Sequence, residues 1–269
     1  MRSEVLLVDA GDYAHPDLKH EDRENWFVLH TMGEMHYDAM TLGELELYRG
    51  PEYVQSIIDS TKVPMTVANV RFKGAKEPIA APYLIRQVKG VTCGIIGLVG
   101  QDFGEGKQKF VELGYEVDDP FIVAAKLVPE VRKKADLVIV LAHLGSADAF
   151  QLPKAVPGID VIVFGHYPGT VAPTQVEGAL TVRPGQRGQY MGETRIVVTP
   201  ENKVASYSGE AVALDVKVVG ENPQIAAELR ALKLAIGDKP APAGEGSGKS
   251  GESGESGAMK SGDGAAGTQ

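Results

Sequence analysis

Short apolar runs rich in β-branched residues recur along the chain, each bounded by Gly, Pro or Asp: EVLLVDAG, PMTVANV, YLIRQV, VTCGIIGLVG, ADLVIVLAHLG, IDVIVFGH, ETRIVVTP and AVALDVKVV. The uninterrupted runs LVIVLA and VIVFG lack the alternation of a half-exposed strand and predict strands buried on both faces. Between several of these runs, apolar residues return at helical spacing. Residues 50–60, GPEYVQSIIDS, place Pro51 at a first helical position, where its missing N–H leaves nothing unsatisfied. Residues 118–135, DDPFIVAAKLVPEVRKKA, offer Asp119 as N-cap, Pro120 in the first turn and a basic end that suits the helix dipole. Pro129 predicts a kink or a division of that helix. Residues 222–235 repeat the Asn-cap, Pro-first pattern.

Strand and helix therefore alternate in the middle of the chain, and residues 179–218 read as consecutive strands joined by turns. The expectation is an α/β protein with a mixed sheet or two sheets. Beyond about Asp238 the pattern stops. Residues 238–269 are Gly, Ser, Ala and charge with no aromatic residue, too little apolar surface to offset the entropy of ordering. The chain divides into a domain over 1–237 and a disordered tail over 238–269. Within the tail, AGEGSGKS, Ala243 to Ser250, looks like a phosphate-binding loop. Such a loop needs a buried strand before it and a helix start after it, whereas KPAP precedes and GESGESG follows. It reads as linker.

A length of 269 residues, 43% hydrophobic and 23% charged, fits one large soluble domain with a full core. The net charge of -9 argues against nucleic acid or an anionic membrane surface as partner. No apolar run reaches the length of a membrane span. The opening MRSEVLLVDAGD enters a strand at once and lacks signal-peptide architecture. The single cysteine, Cys93, excludes an internal disulfide framework and a Cys-rich metal site, and its run GVTCGIIGL predicts a buried, inert thiol.

Candidate chemistry falls at strand ends, where α/β proteins gather functional groups on loops. LLVDAGD ends in two aspartates; YDAMTLGELE carries Glu44 and Glu46; His143 ends the run VIVLAH, and His166 follows VIVFG. Each histidine alone reads as a hydrogen-bonded strand-end residue. Two of them with a strand-end Asp and a Glu make an ordinary ligand set for a divalent metal of the zinc, manganese or iron type.

The blocks LLVDAGD, YDAMTLGELE, PMTVANV, YLIRQVKGVTCGIIGLVG, DLVIVLAHLG, PGIDVIVFGH and MGETRIVV occur in the order and approximate spacing of the calcineurin-like metallophosphoesterases. The chain resembles most closely the amino-terminal domain of the 5'-nucleotidase / UDP-sugar hydrolase group, over most of residues 4–200. The resemblance implies a four-layer αββα sandwich with a two-metal site at the strand ends, where the metals clamp a phosphoryl group and activate water. It also implies that Asp12 is the carboxylate bridging the metals and that His143 and His166 bind one of them. Glu44 stands where the family has the Asn ligand of that same metal. Glu46 matches a Glu that is not a primary ligand.

The other half of the family's site is replaced. Leu45 occupies the position of the His that stabilises the phosphoryl transition state or protonates the leaving group. Pro168 occupies the position of a His ligand of the second metal. The family's first motif, a strand ending in Asp-x-His, would precede residue 1, so the first strand is expected to be missing and another chain or segment to cover the sheet edge it leaves. His15, His20, His30 and His36 remain, of which His15 is the one candidate for a replacement ligand. The implied cofactor is one divalent metal of the Mn, Zn, Fe or Mg class on Asp12, Glu44, His143 and His166, with the second site lost. The expected function is a degenerate phosphoesterase domain with a scaffold, binding or regulatory role; the alternative is a remodelled mononuclear hydrolase of phosphate esters or nucleotides. The family group is usually exported, so the expected compartment is periplasmic or extracellular.

Overall fold

The structure, a computed structural model, describes residues 5–18, 22–101, 106–201 and 203–237. The expected tail, with the segment 243–250, and His20 lie outside the described residues. In chain order the elements are β1 (Val8–Asp9), α1 (Asp22–Glu34), β2 (Ala39–Met40), α2 (Glu44–Leu47), α3 (Pro51–Ser60), β3 (Val70–Phe72), β4 (Leu84–Val88), β5 (Val91–Val99), α4 (Gly106–Leu113) and β6 (Tyr115–Val117). They continue with α5 (Pro120–Arg132), β7 (Leu137–His143), α6 (Ser146–Ala155), β8 (Val161–Phe164), β9 (Val171–Val176), β10 (Ala179–Arg183), β11 (Tyr190–Val198), β12 (Val204–Ala213), α7 (Val216–Val219) and α8 (Pro223–Ala235).

The central sheet has the order β4-β5-β7-β8-β10-β9. Strands β5, β7, β8 and β10 run parallel, while β4 and β9 close the two edges antiparallel. Period two in the strands sends alternate residues to opposite faces. On β7, Leu137, Ile139 and Leu141 join Cys93, Ile95, Val161 and Leu180 in one core, and Val138, Val140 and Ala142 join Ile96, Leu98 and Ile162 in another. Helices α5 and α6 cover the second face through Ala124, Val128, Val131, Ala149 and Leu152. Leu6 and Val8, together with Ile196, Val198, Val204 and Tyr207 of the β11–β12 hairpin, pack against the first.

A third core lies beyond β2, where Met40, Leu42, Met65 and Val67 meet Leu29 of α1 and Val54 and Ile57 of α3. Strands β1 and β2 pair in parallel, and single bridges extend this layer from Met40 to Met65 and from Thr66 to Ala81. Three cores separate four layers, helix, strand, sheet and helix, which is the expected αββα sandwich. The two strand layers touch closely where Ala68 N–H donates to Gly97 O at 2.8 Å. A Cβ on Gly97 would lie 1.8 Å from Thr66 O, so only glycine permits that approach. Among the described residues β1 pairs with β2 alone.

Several local expectations change. PMTVANV forms isolated bridges and only its last residue, Val70, enters a regular strand. AVALDVKVV divides, because the Asp215 side chain accepts from Lys217 N–H and caps α7 instead of continuing the strand. Pro129 does not divide α5, which runs unbroken to Arg132 with Val128 and Val131 buried on either side of it. The Asp119 cap is present, with Oδ1 accepting from Phe121 and Ile122 N–H.

Candidate metal centre

The loops that follow β1, β2, β7 and β8 meet at one end of the two sheets. After β1 the chain turns sharply through Gly11 (φ +89°) and Asp12 (φ 64°), with Gly11 N–H held by Asp9 Oδ1 at 2.8 Å. A left-handed Asp is uncommon and persists when its surroundings hold it. Glu46 does so. Its Oε2 accepts from Asp12 N–H at 3.0 Å and Gly43 N–H at 2.8 Å, and its Oε1 accepts from Ala14 N–H at 2.8 Å. Glu46 is fully buried. Burial, then the Asp12 charge, push its carboxyl up to about 7, with the three N–H bonds pulling the other way. Gly43 sits against the centre: a Cβ there would lie 2.2 Å from Asp12 Oδ1 and 2.6 Å from His143 Cε1.

Strand β7 delivers His143 with no solvent exposure. Its Nδ1 lies 2.7 Å from Ala10 O, and a carbonyl only accepts, so Nδ1 carries the hydrogen and Nε2 faces the centre. There Nε2 lies 2.6 Å from Glu44 Oε2 and 3.3 Å from Asp12 Oδ2. The other oxygen, Glu44 Oε1, lies 2.9 Å from Nδ1 of His166. One carboxylate thus spans both imidazoles. Burial alone would raise the Glu44 carboxyl, but the bonds to His143 and His166 outweigh it and hold it well below the usual range. Burial would lower His143, and the Asp12 and Glu44 carboxylates outweigh that to raise it.

Asp12, Glu44, His143 and His166 each offer one ligand atom, and these atoms all lie within 4.8 Å of one another. Donors about 2.1 Å from a common ion lie up to roughly 4 Å apart, so a small side-chain adjustment brings the set to the spacing of a divalent cation's ligands. Two carboxylates and two neutral imidazoles also balance a charge of +2, which an Asn in place of Glu44 would not. Among the described residues this is the one such group.

Leu45 and Pro168 add nothing to it. The Leu45 N–H donates to Asp12 Oδ1 at 2.9 Å, and its side chain carries no donor or acceptor. Pro168 is exposed in the loop after His166. His15 does not join the cluster: its N–H donates to Asn25 Oδ1, and its Nδ1 accepts from Asp17 N–H at 3.1 Å. His30 and His36 are exposed, on α1 and just beyond it. Sequence reasoning missed Arg49, whose guanidinium holds the carbonyls of His15 and Asp17 and pairs with Asp22, fixing the loop beside Asp12. It also missed Asp9, which burial pushes up to about 6. Asp9 is the first aspartate of LLVDAGD, and its place at the strand end was the only signal for it.

The fold is an α/β sandwich that gathers one possible metal-binding group at its strand ends. No protein-family model matches the chain. It is 28% identical over 261 residues to a snake venom 5'-nucleotidase of Naja atra, covering 86% of this chain and 48% of that protein. It is 33% identical over 196 residues to a 2',3'-cyclic-nucleotide 2'-phosphodiesterase/3'-nucleotidase of Haemophilus influenzae, covering 61% of this chain and 30% of that one. Among solved structures, a 5'-nucleotidase precursor from Thermus thermophilus superposes with a TM-score of 0.72 at 25% identity, over 86% of this chain and 49% of that one. The calcineurin-like phosphoesterase YfkN of Bacillus subtilis has the same fold, with a TM-score of 0.73 at 24% identity over 86% of this chain and 83% of that one. The chain thus resembles the amino-terminal domain of the 5'-nucleotidase group of calcineurin-like phosphoesterases. It spans about half or less of the length of these curated relatives.

Proposed function

We propose that this domain is a degenerate relative of the 5'-nucleotidases that holds one divalent metal on Asp12, Glu44, His143 and His166 and serves in binding or regulation, not two-metal hydrolysis. The observation that carries this reading is the environment of Asp12. Its Oδ2 faces His143, while its Oδ1 accepts from the backbone of Leu45, in a region where the resemblance implies a catalytic His and a second metal. Pro168 removes a further ligand on the same side. When bound, the metal would supply Lewis acidity toward a phosphate oxygen. His143 would present Nε2, oriented by Ala10 O; Glu44 and Asp12 would neutralise the ion; and Glu46 would hold the Asp12 turn.

The ligand class that suits such a centre is a phosphate ester, nucleotides included, because the relatives named above are nucleotidases and phosphodiesterases by name. A positioned general acid contributes typically 10²–10⁴-fold to rate, and Leu45 cannot supply one. With a generic aryl phosphate and added Mn²⁺ or Zn²⁺, the purified chain is expected to give no metal-dependent turnover. Leu45→His alone is expected to leave it inactive, since Pro168 still lacks a ligand atom. Metal-dependent turnover by the unaltered chain that disappears in His143→Ala overturns the proposal in favour of a remodelled mononuclear hydrolase.

A further inference from the structure

His166 reaches the centre from a weak platform. It follows β8 in a stretch, residues 165–170, without regular structure, and residues 167–170 are exposed. Two positions there take left-handed backbone, His166 at φ +76° and Gly169 at φ +93°. For His166 that conformation is strained, and something outside the loop must restrain it. The near end is tied down, since Gly165 N–H donates to Ala142 O at 3.0 Å. The far end is held by Arg183, the last residue of β10. Strand β10 runs parallel to β8 with Val182 opposite Val163, and this register sets the guanidinium 5.1 Å over the ring of Phe164. From there Nε donates to Gly169 O at 3.0 Å and one terminal nitrogen donates to Ser146 Oγ at 3.0 Å. Ser146 opens α6, three residues after His143, and Gly169 stands three residues after His166. One planar fork therefore links the two loops that carry the two histidines.

We infer that Arg183 is a positioning residue for the centre, holding the His166 loop against the His143 loop so that both imidazoles reach Glu44. The inference rests on the single-metal reading for its consequence, and on the fork geometry for its mechanism. Lysine cannot substitute, because a point ammonium lacks the rigid planar fork that makes two divergent bonds from one position over Phe164. Partners that orient ligand side chains change metal affinity by about 10–100-fold when removed.

Two readouts separate this inference from the metal reading. Without metal, side-chain ¹⁵N spectra of the imidazoles are expected to change at His166 and not at His143 in Arg183→Ala and Arg183→Lys alike, with Ser146→Ala intermediate. With zinc, calorimetric titration is expected to give a dissociation constant about tenfold weaker in both Arg183 variants. A His166 signal in Arg183→Ala identical to that of the parent, in protein with a normal thermal transition, overturns the positioning role whatever the metal does. A His166 shift with zinc affinity unaltered also overturns it, as does full rescue by lysine. A parent chain that binds no zinc overturns the single-metal reading instead, and leaves the imidazole spectra to decide on Arg183.

Discussion

Glu44 brings a charged carboxylate to the centre, and its two oxygens reach both histidines at 2.6 and 2.9 Å. Glu44→Gln keeps the shape but removes the charge and one acceptor. Zinc affinity measured by competition with a chromogenic chelator is expected to fall by at least about tenfold. Asp9 gives an opposite kind of test. Its folded-state carboxyl sits near 6, above its unfolded value, because burial favours the neutral form. A raised carboxyl contributes most below the unfolded pKa of about 3.9 and loses that contribution as pH rises toward 6. Asp9→Asn, which can still accept from Gly11 N–H, is expected to stabilise the chain by up to about 3 kcal/mol in urea melts at pH 7. The gain should vanish below pH 4. Cys93, with burial pushing its thiol up to about 11, is expected to resist iodoacetamide at pH 8 until the chain is denatured. His143 and His166 were legible in the sequence because each ends a long apolar run. The Glu46 hub was only partly so, since its partners are backbone N–H groups of residues 12, 14 and 43, which no side-chain pattern encodes.

At the scale of elements, helices announced by caps and prolines were legible: α3, α5 and α8 begin at Pro51, Pro120 and Pro223. Asp119→Ala is expected to cost about 1 kcal/mol in denaturant unfolding, because two N–H groups lose their acceptor. Helix α1 was not legible. Its residues DRENWFVLHTMGE bury only Asn25, Leu29, Met32 and Gly33, a weak apolar stripe in a polar segment. Tertiary packing against α3 and β2 forms it. The opposite error occurred at PMTVANV, whose composition favours a strand while Met65 and Thr66 join the β1–β2 layer through single bridges and only Val70 enters a regular strand.

For the whole molecule, the alternation of buried runs and helices gave an α/β protein with a mixed sheet or two sheets, and the αββα order came from the resemblance alone. The closeness of the two strand layers followed from neither, because it depends on Gly97 meeting a backbone oxygen from a distant segment. Gly97→Ala forces a Cβ to within 1.8 Å of Thr66 O unless the layers separate, and about 3 kcal/mol or more of stability should be lost in urea melts. The same closeness brings the loops after β1, β2, β7 and β8 together, so the centre is a property of the sandwich and not of any one motif.

The functional reading of this domain stands or falls on whether the centre holds one ion. Equilibrium dialysis of the metal-free chain against zinc, followed by metal analysis, counts that ion. One equivalent per chain, lost in His143→Ala, is expected. Two equivalents, none, or one that survives His143→Ala would contradict it.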